Sequence, residues 1–243
     1  MMAKKRKSYK PIALQYADDV ISGRKIAGKE IVEACERFRR DLERDDLELR
    51  EHDPDFVIGI IERLMVHRQG ETIEGEPLTN EPLILQPWQV FIIYNLLGFY
   101  IKGTDERRYK EAFIFLPRKN AKTMTAAALA FGIALLQRRS GSKIYIVAAA
   151  LKQACEAFDD IVYTLRYRGL LEDFRVRNNN AEHSILYEFT DERGRPDGSI
   201  HIEALASNPD AQDSFNCNVA IADKLLSLCR VTGSSKSGKN GES

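Results

Sequence analysis

The first third of the chain shows apolar residues at helical spacing. Between residues 27 and 46, Ile31, Cys35, Phe38 and Leu42 recur at i, i+4, i+7 and i+11 among charged positions, which predicts an amphipathic helix. A second helix is predicted from Asp53-Pro54, with Asp as the cap and Pro at the first helical position, and with its end near Gly70. Its predicted buried face consists of Phe56, Val57, Ile60, Ile61, Leu64 and Met65. A third helix is predicted to open at Pro87.

From residue 111 onward the pattern changes to short, continuous apolar runs. Residues 111–117 and 143–150 are two such runs, and each precedes a helical pattern, over about 122–139 and 151–169. Strands without alternating polarity are typical of a parallel sheet that is covered on both faces. Residues 183–190 and 199–206 flank the turn signal DERGRPDG and predict a hairpin, and 218–223 predicts a last buried strand. The pattern therefore predicts an α/β fold with a mostly parallel sheet flanked by helices, preceded by a helical segment.

Composition limits the possible partners and compartments. Lys+Arg and Asp+Glu both number 36, so no net basic field indicates a nucleic-acid partner. The four cysteines lack a CxxC pair, which argues against a zinc site and for a reducing compartment. No apolar stretch approaches the roughly 20 residues of a membrane span, so we expect a cytoplasmic protein without a membrane partner. The Lys4–Lys7 cluster is either a DNA contact or a solvated end.

The junction between the run at 111–117 and the next helix is a candidate phosphate-binding loop. The usual pattern is GxxxxGK[ST], whereas residues 116–123 read LPRKNAKT, so both glycines are replaced. Backbone N–H groups at a helix N-terminus bind phosphate whatever the side chains are. Lys122 would then reach the β- and γ-phosphates, and the Thr123 hydroxyl would ligate Mg²⁺. The alternative is a basic turn that caps a core helix.

An acidic residue at the end of another predicted strand supports the nucleotide-site interpretation. Residues 219–223 read VAIAD, which is the form of a Walker B strand with Asp223 as the Mg²⁺ ligand. Ligands of open α/β sheets bind at the carboxyl ends of the strands, so we expect Lys122 and Asp223 to meet there. A strand that ends in Asp is common, and only the pair of motifs favours a nucleotide site.

Five segments in order, from Tyr16 to Asp223, resemble the ATPase part of the large terminase subunit of tailed phages. The segments are YADDVISGRKIAGKEIVEACERFRRDL, LQPWQVFIIYNLLGF, FIFLPRKNAKT, KIYIVAAALKQACEAFDDI and DSFNCNVAIAD. The resemblance implies a P-loop NTPase that uses ATP and Mg²⁺ to drive double-stranded viral DNA into proheads. It also implies a portal protein and a small terminase subunit as partners, assembly as a homo-oligomer, and a location in the bacterial host cytoplasm, encoded by a phage or prophage.

The resemblance also implies roles for single residues. Gln89 would read adenine through its amide, beside Trp88, and Arg118 would act catalytically on charge that develops at the γ-phosphate. Gln153 matches a recurrent glutamine of the family, without an assigned role. The implied nucleotide-binding residues are Gln89, Arg118, Lys119, Asn120, Ala121, Lys122 and Thr123, and the implied Mg²⁺ ligands are Thr123 and Asp223.

The sequence departs from the family at Lys224. The family has a glutamate there that activates the attacking water, and an ammonium group cannot accept a proton at neutral pH. The resemblance is expected to end at Asp223. This predicts a helical segment at 1–85, an incomplete ATPase domain at 86–223 and a disordered or unrelated tail at 224–243. We expect a truncated terminase ATPase without the nuclease domain, which binds ATP without efficient hydrolysis. The alternatives are an inactive prophage remnant that serves as an interaction module, and a helicase-like P-loop translocase.

Overall fold

A computed structural model describes residues 7–72, 74–117, 120–138, 141–180, 182–207 and 217–222. The chain divides into two units, Met1–Thr125 and Ala126–Ser243. In the part of the chain that the structure describes, no helix combines the length and the apolar character needed to cross a membrane.

The first unit is mainly helical. Its helices and strands are α1 (Lys10–Ile21), α2 (Lys29–Leu42), β1 (Leu47–Leu49), α3 (His52–Leu64), α4 (Pro87–Gly98) and β2 (Phe99–Ile101). The predicted stripe of α2 lies partly in the core, since Cys35 and Phe38 are fully buried while Ile31 is 44% exposed. The Phe38 ring packs edge-on against Phe91 and Phe99, with centroids 5.3 and 5.5 Å away. Aromatic side chains from three elements therefore form the centre of this unit.

Helix α3 has different ends from those predicted. It begins at His52, and Glu51 rather than Asp53 occupies the cap position. It ends at Leu64, because Met65 is already extended, and not at Gly70. The following residues form isolated antiparallel bridges, Val66 with Pro82 and Glu71 with Pro77. These bridges use backbone groups that a longer helix would need.

Carboxylates on α3 fix the chain that precedes α1. Asp55 accepts a hydrogen bond from the Tyr9 backbone N–H at 2.9 Å and another from the Tyr94 hydroxyl. The Tyr9 hydroxyl donates to Glu62 at 2.7 Å, and Lys7 pairs with the same carboxylate at 3.3 Å. Burial, followed by these carboxylates, raises the pKa of both tyrosines. Residues 7–9 are thus attached to α3, whereas Lys4, Lys5 and Arg6 lie outside the described residues.

The second unit is an α/β arrangement around a five-stranded sheet. Helix α5 (Lys122–Leu136) leads into it, and β3 (Ser142–Ala148), α6 (Leu151–Tyr167), β4 (Arg175–Asn178), β5 (His183–Thr190), β6 (Pro196–Ala206) and β7 (Val219–Ala222) follow. The strand order is β4-β5-β6-β3-β7. Helix α6 packs on β3 and β6. The α/β class is therefore confirmed.

The sheet is mixed in direction. Strand β3 runs parallel to both β6 and β7. The pairs β4–β5 and β5–β6 are antiparallel, and β5–β6 is the hairpin predicted from the turn signal. The parallel strands thus form one side of the sheet, and the hairpin with β4 extends the other side.

Two predicted strands differ from the structure. Residues 111–117 form no strand, and Phe113 and Phe115 are 73% and 72% exposed. An apolar run becomes a strand only when a neighbour completes its hydrogen bonds, and none of the described strands pairs with this run. Strand β7 does form, but its residues alternate between half-buried and exposed, and it lies at the edge of the sheet that the described strands form. The prediction that it is buried was therefore wrong.

Candidate nucleotide-binding site

The candidate phosphate loop has an unusual backbone conformation at Ala121. Its φ is +48°, in the left-handed region that residues other than glycine rarely adopt. Ala121 is the position where GxxxxGK[ST] has its second glycine. The Ala121 carbonyl accepts a hydrogen bond from the Thr125 N–H at 2.8 Å, so Ala121 is the cap residue directly before α5. The backbone thus adopts a conformation suited to glycine although the side chain is that of alanine.

Lys122 is the first residue of α5, directly after this turn. Its Nζ donates a hydrogen bond to the Leu116 carbonyl at 3.1 Å, which places the ammonium group over its own loop. Anionic phosphate oxygens accept stronger hydrogen bonds from an ammonium group than a neutral carbonyl does. The contact therefore holds the ammonium group at the loop through an acceptor that a phosphate can replace.

Of the remaining loop residues, the structure describes Asn120 and Thr123. Thr123 is half-buried in the first turn of α5, and the exposed Asn120 makes a long contact from Nδ2 to the Pro117 carbonyl at 3.4 Å. Arg118 and Lys119 lie outside the described residues, as do Asp223 and Lys224 after β7. Their roles, and the expected meeting of Lys122 with Asp223, remain predictions.

Gln89 is hydrogen-bonded to α5, the helix that follows the candidate phosphate loop. It is the third residue of α4, where its Oε1 accepts a hydrogen bond from the Gln86 N–H at 2.8 Å in a capping box. Its Nε2 donates to the Thr125 hydroxyl at 2.9 Å. Gln89 is 4% exposed and Thr125 is 6% exposed, so the bond is shielded from water. Trp88, beside Gln89, is half-buried.

Sequence reasoning missed Thr125. The available signal was a hydroxyl at the fourth position of α5, after which the helix is apolar to its end. A single buried hydroxyl in such a helix needs a hydrogen-bond partner, because leaving it without one costs about 1–3 kcal/mol. The sequence does not show that this partner is Gln89, which lies 36 residues away along the chain.

Gln153 is placed at the start of α6, in the second unit. Its Oε1 is buried without a hydrogen-bond partner among the described residues. The structure therefore gives this residue an unsatisfied acceptor but no role. Over the same residues, no group of three or more His, Cys, Asp or Glu side chains is arranged to hold a metal ion. A Mg²⁺ held by nucleotide phosphates needs only one or two protein oxygen atoms.

Comparison with known proteins identifies the family. The family model of the terminase large subunit, ATPase domain, matches residues 87–231. No curated protein matches the chain. The crystal structure of the HK97 bacteriophage large terminase matches at 18% identity with a TM-score of 0.48, over 75% of this chain and 36% of that chain.

The matched range differs from the expected one at both ends. It begins at Pro87, so it leaves out α1 to α3. It ends eight residues beyond Asp223 (231 − 223 = 8), so the resemblance does not stop at that residue. The match covers 145 residues (231 − 87 + 1), more than half of the 243 in the chain. The chain belongs to the family of terminase large subunit ATPase domains.

Proposed function

We propose that this chain binds ATP with Mg²⁺ at residues 118–123 and is the ATPase part of a motor that packages double-stranded viral DNA into proheads. The observation that carries the proposal is the left-handed Ala121 directly before Lys122 at the start of α5. This conformation supports a phosphate loop at the position where the sequence pattern lacks glycine. The family of the chain supports ATP as the nucleotide.

Each loop residue has a defined part in this proposal. The Lys122 ammonium group exchanges the Leu116 carbonyl for phosphate oxygens, and the backbone N–H groups at the start of α5 bind the same phosphates. Thr123 and Asp223 supply the hydroxyl and carboxylate oxygens for Mg²⁺, a metal that prefers oxygen ligands. Arg118 stabilises charge at the γ-phosphate, while Lys119 and Asn120 line the loop. The metal, when bound, neutralises phosphate charge.

We further propose that hydrolysis is weak. Lys224 stands where the family resemblance expects the carboxylate that activates water, and a protonated amine cannot act as that base. The same residue supports the second candidate, an interaction module without catalysis. Viral DNA, a portal protein, a small terminase subunit and further copies of the chain are the partners that the family resemblance suggests for the motor.

Calorimetric titration with Mg·ATP tests nucleotide binding. We expect the wild type to bind and Lys122→Ala to lose at least about tenfold in affinity, because the lost charge-assisted hydrogen bond is worth about 1.5–3 kcal/mol. Lys110→Ala is the matched control, since the Lys110 side chain is 73% exposed and pairs with Glu106, four residues before it. Absence of binding, or equal effects of the two substitutions, would contradict the proposal.

Steady-state phosphate release tests the chemistry separately. We expect low turnover for the wild type and a clear increase for Lys224→Glu, since that substitution restores a carboxylate. Vigorous turnover of the wild type that depends on Lys122 would show that weak hydrolysis is the wrong proposal. If neither protein binds ATP, the interaction module remains the better description of the chain.

A further inference from the structure

We infer that Thr125 is a positioning residue for nucleobase selection, and that it acts by fixing the orientation of the Gln89 amide. The inference rests on the proposed ATP site. Thr125 lies one helical turn beyond Lys122, and its hydroxyl accepts the Gln89 Nε2–H at 2.9 Å. The bond therefore connects the residue expected to read the base with the helix expected to hold the phosphates.

The orientation of the Gln89 amide follows from its two partners. A backbone N–H needs an acceptor, and only the oxygen end of the amide can accept, so Oε1 must face Gln86 N at 2.8 Å. Nε2 is then directed to the Thr125 hydroxyl. Both side chains are more than nine-tenths buried, so water competes little for either bond. The two contacts together leave one orientation of the amide.

This orientation leaves one donor and one acceptor on the amide. Nε2 retains its second hydrogen and Oε1 retains its second lone pair. Adenine offers the complementary pair, the N6 amino donor beside the N7 acceptor, and glutamine binds these two atoms in a bidentate manner. Guanine offers O6 and N7, both acceptors, on the same edge. An amide held in place can form both bonds with adenine but only one with guanine.

Removal of the Thr125 hydroxyl should change the selectivity for the base and leave phosphate binding intact. Thr125→Val keeps the shape of the side chain but leaves Nε2 without its buried acceptor. The amide then turns toward other partners, while Gln86 N–H remains its only anchor. Lys122 contacts the Leu116 carbonyl and not Thr125, so its ammonium group is unaffected. The substitution should therefore reduce the preference for adenine without abolishing triphosphate binding.

Paired titrations with Mg·ATP and Mg·GTP test the inference. The wild type is expected to prefer ATP by about tenfold or more, the usual value of a bidentate base contact. Thr125→Val should lower this ratio toward one by weakening ATP binding, and Thr125→Ser, which restores the hydroxyl, should regain the preference. Thr164→Val, at a buried threonine of α6, is the control and should leave the ratio unchanged. Thr125→Ala removes the same hydroxyl and replaces the Val variant if that protein does not fold.

The results separate this inference from the proposed function. If Thr125→Val and Thr125→Ala weaken ATP and GTP binding equally, or if the wild type binds both nucleotides alike through Lys122, the inference is overturned and the ATP site stands. If the wild type shows no Lys122-dependent binding, the proposed function fails and the inference fails with it. A fall in the ratio that serine reverses is the result that supports positioning.

Discussion

Replacing Ala121 with glycine should stabilise the first unit. The φ of +48° places alanine in the left-handed region, which costs an L-residue about 1–2 kcal/mol. Glycine removes that cost but adds freedom to the unfolded chain, which opposes folding by about 0.4–1 kcal/mol. Ala121 is exposed, so its methyl group contributes little packing. The difference between the midpoints of these two ranges predicts a net gain of about 0.8 kcal/mol in the free energy of unfolding.

Urea denaturation followed by intrinsic fluorescence measures this gain. Trp88 is the only tryptophan of the chain and lies in the first unit, as Ala121 does, so its signal follows the relevant transition. Ala34→Gly is the matched control, because Ala34 lies within α2 of the same unit, where glycine costs about 1 kcal/mol relative to alanine. The two Ala→Gly substitutions should therefore shift the unfolding midpoint in opposite directions.

Because the two substitutions are expected to shift the unfolding midpoint in opposite directions, a shift in the same direction would refute the prediction. If Ala121→Gly lowers the midpoint as Ala34→Gly does, Ala121 does not carry left-handed strain in solution. The main structural support for a phosphate loop would then be lost. An increase in stability with Lys122-dependent ATP binding retained would link the strained residue to the loop conformation.

Three further predictions concern two buried side chains of the first unit and two cysteines of the chain. Phe38→Ala should cost about 3–5 kcal/mol in urea denaturation, because its ring is fully buried against two other phenylalanine rings; a cost below 1 kcal/mol would contradict this packing. Burial lowers the pKa of His67, so the unfolded state binds more protons and the free energy of unfolding should fall as the pH drops below about 6.5. His67→Gln should remove this part of the pH dependence. If the free energy of unfolding of the variant changes with pH as that of the wild type does, His67 is not the source. Iodoacetamide should label the exposed Cys217 quickly and Cys35 only on unfolding, because Cys35 is fully buried and burial raises its pKa to about 11; peptide mapping checks the order of labelling.

The helices were predictable because their signals are local. The stripe through Cys35 and Phe38 and the proline at position 87 each place a helix from a few neighbouring residues. The hairpin β5–β6 was predictable for the same reason, since its turn signal lies between its two strands. The ends of these helices were less predictable, as at α3, where residues after Leu64 form bridges with residues further along the chain. Helix α1 was not predicted.

Whether residues 111–117 form a strand depends on distant partners, and so do the contacts inside the candidate site. An apolar run has the same appearance in sequence whether or not a neighbouring strand completes its hydrogen bonds. The left-handed φ of Ala121 and the bond between Gln89 and Thr125 depend on backbone geometry and on contacts across 36 residues. The spacing of residues in the sequence indicated candidate site residues but not the hydrogen bonds between their side chains.

The exposed rings at Phe113 and Phe115 affect how this protein can be assayed. The two rings stack with centroids 6.5 Å apart and are more than 70% exposed in the folded chain. Environment-sensitive dyes bind exposed apolar surface, so such a dye should already fluoresce with the native protein and obscure a thermal-shift transition. Nucleotide analogues that carry an aromatic fluorophore should bind the same rings, independently of Lys122. Calorimetry and the intrinsic fluorescence of Trp88 avoid both artefacts.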